Sequence, residues 1–124
     1  MQATPTTGNS QNSKGGFPKS KKHIIVEIVE YVPDSIISKT VVNKTSGDVT
    51  ATSFDEGEKL CEKTTEYDTY VQIIDGEADI TIGNKEYHLN LGEGIIIPAN
   101  IQHCFKADEQ FKMITTIIKD FKED

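Results

Sequence analysis

The clearest pattern in the chain is the alternation of short apolar segments with turn residues from His23 onward. Residues 78–82 and 85–91 alternate between apolar and polar side chains, as in a strand with one buried face. Asp75-Gly76 is a strong hairpin signal, because both residues tolerate positive φ. We predict about ten strands, with no amphipathic helix. The segments are residues 23–29, 36–43, 49–54, 67–74, 78–82, 85–91, 95–97, 101–106 and 111–119.

Many short strands within about 100 residues favour an all-β domain, and a two-sheet sandwich, a jelly roll and a barrel remain open. Residues 1–22 are small, polar and aperiodic, and they include four lysines and no acid. Such a segment buries too little apolar surface to offset the entropy of ordering. We therefore predict a disordered basic N-terminal tail over residues 1–22 and a single barrel domain over residues 23–124.

The charge of the domain excludes some partners. Beyond residue 22 the chain has nine lysines against twenty acids, a formal charge of −11, and the sequence contains no arginine. Nucleic acids and anionic membranes are bound through excess positive charge, so neither is predicted as a partner. The lack of arginine also disfavours clamps for phosphates or nucleotide-sugars. No apolar run approaches the ~18 residues of a membrane span, and no secretory signal is evident, so a cytoplasmic location is predicted.

The two cysteines, Cys61 and Cys104, fit no zinc-site spacing. They can form a disulfide only if the fold brings them together. Because disulfides are uncommon inside cells, we predict two reduced thiols.

Two stretches of the sequence carry a family resemblance. The first begins at Gly57 and includes YVQIIDGE at residues 70–77, and the second has Gly92, Pro98 and His103 with five and four residues between them. Over residues 54–105 the chain resembles the two motifs of the cupin superfamily. It is most similar to small, stand-alone bacterial cupins without an assigned activity. The resemblance implies an RmlC-like fold, that is, an antiparallel double-stranded β-helix or jelly-roll barrel.

The resemblance also implies where a metal would bind. In metal-binding cupins, three histidines and a glutamate hold the ion, and the matching positions here are Lys63, Thr65, Thr69 and His103. Only His103 matches, and lysine and threonine are poor ligands for transition metals. No cofactor is therefore predicted. A transition metal would need a non-standard site that combines His103 with Cys61 and a nearby carboxylate.

Strand alternation indicates which side chains face the barrel interior as ligand-pocket candidates. In such a pocket His103 is either an internally hydrogen-bonded residue or an acid, base or donor to a ligand. An inward lysine would be a base or a counter-charge. The candidates are Cys61, Lys63, Thr65, Thr69, Val71, Ile101, His103 and Phe105.

Three functions remain open. The first is binding of a small-molecule ligand in the barrel without metal-dependent catalysis. The alternative is a cryptic enzyme that uses His103, either oxygenase-like and metal-dependent or a metal-free isomerase or epimerase. The third is a dimeric interaction module, since pairing would cover exposed strand edges. For that homodimer, the apolar segments 24–29 and 36–42 are the candidate interfaces.

Overall fold

Nine β-strands make up most of the described part of the chain, which in this computed structural model comprises residues 16–62 and 64–119. One 3-10 helix, Ile25–Glu27, precedes them. The strands are β1 (Ile36–Lys44), β2 (Gly47–Phe54), β3 (Lys59–Glu62), β4 (Thr69–Gly76), β5 (Ala78–Ile82), β6 (Lys85–Leu89), β7 (Gly94–Ile97), β8 (His103–Lys106) and β9 (Phe111–Ile118).

The strands form two antiparallel sheets. The first has five strands in the order β1-β2-β9-β4-β7, and the second has four in the order β3-β8-β5-β6. The β1–β2 and β5–β6 hairpins each stay within one sheet, and every other connection between consecutive strands crosses to the other sheet, as in a jelly roll. The all-β, antiparallel jelly-roll prediction is confirmed, with nine strands in the described residues against about ten expected.

The core lies between the sheets and follows the strand period of two. In β4, Thr69, Val71 and Ile73 are buried, whereas Tyr70 and Gln72 between them are exposed. Three phenylalanines occupy the centre. Phe54 and Phe111 stack with ring centroids 4.5 Å apart, and Phe105 lies 6.0 Å from Phe54. Aromatic pairs at such distances add to the free energy gained by burial alone.

The prediction of a first strand over residues 23–29 is wrong. The segment makes the 3-10 turn and runs across the outer face of the five-stranded sheet, where Ile28 and Val29 are buried against Ala51. The apolar residues therefore cover a sheet instead of joining one. Phe17 packs on the same face, and its amide donates to the carbonyl of Val41 at 2.8 Å. We call residues 17–31 the N-terminal strap.

The strap begins inside the stretch that was assigned to the basic tail. Phe17 packs on the sheet and its amide bonds to Val41, so the domain makes contacts before the expected boundary at residue 23. Residues 1–15 lie outside the described residues, and the prediction of disorder stays a prediction there.

A buried lysine of β9 contacts the strap and links the two segments. The ammonium of Lys112 donates to the carbonyl of Val26 at 2.6 Å and lies 4.8 Å from the ring centroid of Tyr31. The Tyr31 hydroxyl donates to Asp75 at 2.6 Å. Burial raises the pKa of Tyr31, and the hydrogen bond to Asp75 adds to that increase. The phenol therefore remains a neutral donor, as this contact requires.

The prediction of two reduced thiols is also wrong, because Cys61 and Cys104 form a disulfide. The two residues are directly opposite in the β3–β8 ladder, with Cα atoms 4.0 Å apart. Their side chains point to the outer face of the four-stranded sheet, so Cys61 is exposed and does not face the interior. The two cysteines are far apart in sequence, and only the register of β3 against β8 makes them neighbours.

None of the helices in the described residues is long and apolar enough to cross a membrane.

Candidate functional site

A cavity of about 210 Å³ lies between the two sheets. Most of its wall comes from alternate residues of the five-stranded sheet, and β3, β8 and the loop between β3 and β4 contribute the rest. Half of the residues that line it carry hydroxyl side chains, and these are Ser38, Thr50, Thr52, Thr65, Thr69 and Thr115.

A smaller part of the lining is charged, titratable or apolar. Asp48 supplies a carboxylate and His103 an imidazole. The apolar lining consists of Leu60, Phe105, Met113 and Ile117. A cavity with a hydroxyl side and an apolar side suits a small ligand that has both kinds of surface.

Several hydroxyls are oriented by hydrogen bonds within the wall. Ser38 and Thr52 share a hydrogen bond of 3.0 Å between their oxygens. The Thr115 hydroxyl is 3.5 Å from the carbonyl oxygen of Thr50, to which it donates. Thr65 donates to the carbonyl of Tyr67 at 2.7 Å. A hydroxyl that donates within the protein still has lone pairs with which to accept from a ligand.

His103 is buried at the start of β8, with 4% of its surface exposed. Its Nδ1 lies 3.2 Å from the carbonyl oxygen of Ile101, and its ring meets Phe105 edge-on at 5.5 Å. Because a carbonyl oxygen only accepts, Nδ1 carries the proton in that hydrogen bond. The interior, hydrogen-bonded histidine that the sequence allowed is therefore observed, and it also lines the cavity.

The structure brings together half of the predicted pocket residues. Thr65, Thr69, His103 and Phe105 line the cavity. The other four candidates are not among the described residues that line the cavity. Val71 is buried in the core, Ile101 is partly buried outside the cavity lining, Cys61 is in the disulfide, and Lys63 lies outside the described residues.

The alternation that misplaced Cys61 fails because β3 ends at Glu62, before Thr65. Thr65 lies in a loop and reaches the cavity from there, so strand parity does not connect it to Cys61.

Sequence reasoning missed the contribution of β2. Asp48, Thr50 and Thr52 occupy alternate positions of this strand and face the cavity. The signal is visible in GDVTATSF at residues 47–54, where small polar residues occupy the positions that a buried face would normally fill with apolar ones.

The residues at the family's metal positions do not fit a metal. Thr65 and Thr69 offer hydroxyls, and the disulfide removes Cys61 as a thiolate ligand. Within residues 16–62 and 64–119 there is no group of three or more histidine, cysteine, aspartate or glutamate side chains that would hold an ion.

A second polar cluster lies on the outer face of the four-stranded sheet. His88 is 2.7 Å from Asp79 through Nδ1 and 2.9 Å from Glu77 through Nε2. The hydrogen bond to Asp79 is the main reason why the pKa of His88 is raised, and the bond to Glu77 adds to it. The same contact lowers the pKa of Asp79. The cluster is solvent-exposed and separate from the cavity.

An antiparallel jelly-roll barrel with an interior cavity, and with a histidine on the strand that follows a Gly…Pro segment, defines the cupin class of proteins. The chain belongs to the family described as "Cupin domain", whose model matches residues 52–118.

Solved structures agree with this assignment. A conserved protein of unknown function from Streptococcus pyogenes is 27% identical, with a TM-score of 0.80 over 92% of this chain and 100% of that one. A cupin superfamily protein from Desulfitobacterium hafniense is 22% identical, with a TM-score of 0.78 over 86% of this chain and 98% of that one.

A Cupin 2 conserved barrel domain protein from Leptotrichia buccalis is 34% identical, with a TM-score of 0.72 over 76% of this chain and 46% of that one. No curated protein matches the chain significantly.

Proposed function

We propose that this cupin binds a small, neutral, polyhydroxylated molecule in its barrel, without a metal ion. The observation that carries the proposal is the cavity of about 210 Å³ with six hydroxyl side chains in its wall. Hydroxyls both donate and accept, and they match a ligand whose own groups do the same. The apolar side at Phe105 and Met113 suits the C–H surface of a polyol or sugar.

Charge supports a neutral ligand over an anion. Asp48 places a carboxylate in the wall, and the described part of the lining contains no lysine. The chain has no arginine that could clamp a carboxylate or phosphate. An anion in this cavity would therefore be repelled by Asp48 with little compensation.

Size limits the ligand further. A volume of about 210 Å³ corresponds to roughly seven water molecules in the liquid. Pockets for drug-sized ligands run from about 300 to 1,000 Å³. Three- to four-carbon polyols are therefore better probes than disaccharides or nucleotides.

We propose binding without a metal because the family's ligand positions offer too few metal-binding side chains. His103 is the one family ligand position that keeps a histidine, and a catalytic metal site needs about three protein ligands. An enzyme in this scaffold would have to work through His103 without the ligands that support metal-dependent cupins. Binding without chemistry requires less of these residues, and we therefore favour it.

The test is a thermal-shift and calorimetric screen on chelator-treated protein, with pairs that differ in charge, such as erythritol against erythronate. We expect binding of the neutral member. Thr52→Val, which removes a buried wall hydroxyl, should weaken it roughly 3- to 10-fold, since a hydrogen bond contributes about 0.5–1.5 kcal/mol net. Thr81→Val, on the outer face of β5, is the matched control and should change nothing.

Two results would contradict the proposal in different ways. Binding only after a metal is restored would show that ligands have been rebuilt and that the donor argument is wrong. Tighter binding of the anion would retain the cavity as the site but reject the neutral ligand class.

We also propose that two copies associate through the outer face of the five-stranded sheet. The strap leaves part of this face uncovered, where Tyr70, Ile96 and Ile118 are exposed. Glu66, Asp68 and Lys119 lie in the same depression. Since a two-fold axis brings identical patches together, it can set Lys119 of each copy against the acids of the other.

The dimer is tested by light scattering at high protein concentration. Ile96→Lys should shift the protein toward monomer, whereas Leu91→Lys, at an equally exposed position outside the depression, should not. A wild-type protein that is monomeric at every concentration would contradict this part of the account.

A further inference from the structure

The Cys61–Cys104 disulfide ties an edge strand to the wall of the cavity. Among the described strands, β3 lies at the edge of the four-stranded sheet and pairs with β8 alone. Beside the ladder, two further backbone hydrogen bonds support it: Gly57 donates to Ala107 at 2.7 Å, and Ala107 donates to Glu58 at 2.9 Å. The disulfide is the covalent link between these two strands.

Opposite faces of β3 have different roles. Cys61 points outward, whereas Leu60 points inward and lines the cavity beside Phe105, its partner in the ladder. If the link between β3 and β8 is broken, Leu60 and with it part of the cavity wall can therefore move.

The disulfide is within reach of a reductant. Cys61 is exposed and Cys104 is half-buried, and a surface depression runs past Cys104. The protein has no other cysteine, so reduction and reoxidation involve this pair alone.

Two lysines flank the disulfide in the β3–β8 ladder. Lys59 and Lys106 are opposite one another in the ladder, two residues from Cys61 and Cys104 respectively and on the same face. Positive charges near a cysteine stabilise the thiolate, which is both the attacking and the leaving form in exchange. Three acids partly offset these charges. Asp108 is 3.8 Å from Lys106, Asp79 is opposite Lys106 in the β5–β8 ladder, and Glu86 lines the same depression.

We propose that Cys61–Cys104 is a reversible redox modification site whose substrate is a dithiol reductant and whose reduction releases β3 from the cavity wall. A thiolate of the reductant attacks Sγ of Cys61, the sulfur–sulfur bond breaks, and Cys104 leaves as a thiolate that takes up a proton. The second thiol of the reductant attacks the mixed disulfide and frees Cys61. Two electrons pass to the protein, and the reductant becomes a disulfide.

The proposal takes the cytoplasmic location, which is a prediction from the sequence, as its setting. Disulfides in reducing compartments are usually transient, and catalytic or redox-sensing, rather than permanent supports. An exposed disulfide on an edge strand, flanked by two lysines, has the features of a transient one. The proposal does not depend on the identity of the ligand in the barrel.

The test treats the full-length native protein with dithiothreitol, counts thiols by alkylation and intact mass, and follows amide hydrogen exchange. We expect full reduction without denaturant and an unchanged circular dichroism spectrum. Exchange in residues 59–62 should rise at least tenfold, while the β5–β6 hairpin changes less than twofold. A Cys61→Ser/Cys104→Ser double variant, which cannot be oxidised, should match the reduced protein.

Each other outcome overturns the proposal. Reduction that requires denaturant would make the bond a permanent structural one. Reduction that leaves exchange in β3 unchanged would remove the coupling to the cavity, and reduction that unfolds the whole domain would remove the switch. A protein whose two thiols stay free in an oxidised glutathione buffer would not form the bond at all.

Discussion

Replacing Phe111 with alanine should lower the free energy of unfolding by about 3–5 kcal/mol. The side chain is fully buried, and its ring stacks on Phe54 at 4.5 Å and an interplanar angle of 12°. The change removes the transfer free energy of a phenyl ring and leaves a void between two sheets, which cannot close on it fully. For a domain of this size we expect the melting temperature to fall by roughly 10–20 °C.

Denaturant titration measures this effect directly. Leu91→Ala is the control, because Leu91 is 62% exposed and such a surface change should stay within about 0.5 kcal/mol. Loss of less than about 1 kcal/mol on Phe111→Ala would show that the phenylalanine cluster is not the centre of the core.

Gly76→Ala should destabilise the protein by about 3 kcal/mol or more, the sum of a backbone cost and a steric one. Gly76 has φ +72°, in the left-handed region where a side chain is unfavourable. A Cβ there would overlap the carbonyl oxygen of Gln110 and lie 2.9 Å from the Cα of Phe111. These are backbone atoms at the start of β9, which pairs with β4 at this point, so they cannot yield as a side chain would.

Gly57→Ala separates the two costs. Gly57 also has a left-handed φ, +86°, but nothing lies within 4 Å of the position of its Cβ. This variant should lose only the backbone part, about 1–2 kcal/mol. Equal losses for the two variants in the same denaturant experiment would mean that β4 and β9 are not so closely packed at Gly76.

The sequence predicted the fold well where local chemistry and tertiary structure agree. The alternation in residues 78–82 gives a strand with Ala78 and Ile80 buried. The Gly92, Pro98 and His103 spacing places a histidine inside the barrel. In both cases a short pattern defines both the backbone and the buried face. The hairpin predicted at Asp75-Gly76 is wrong, because β4 pairs with β7 and β9, and the turn carries the chain into β5 of the other sheet.

The failures have a common physical cause, namely that partners are distant in sequence. Residues 23–29 have strand-like composition, but the outer face of another sheet buries Ile28 and Val29. Cys61 and Cys104, 43 residues apart, become neighbours only through the β3–β8 register. Four of the eight pocket candidates line the cavity, and β2 was not among the candidates because its inward positions carry small polar residues where a buried face usually has apolar ones.

The hydroxyl wall of the cavity is the feature that sets this cupin apart from the metal-binding pattern. Threonines at positions 65 and 69 replace the family's ligands, and the threonines of β2 and β9 extend the same chemistry across the sheet. The barrel is retained while its donors are suited to hydrogen bonds rather than to coordination.

The most direct test of this account is a titration of chelator-treated, isotope-labelled protein with erythritol, followed by amide chemical shifts. We predict saturable shifts at Thr52, Thr69, His103 and Thr115, which line the cavity, with none at Thr81 or His88 on the outer face. Shifts confined to the outer face would contradict the claim that the barrel is the binding site. No shifts with erythritol, or with any other neutral polyol of that size, would contradict the claim that the site binds this class of ligand.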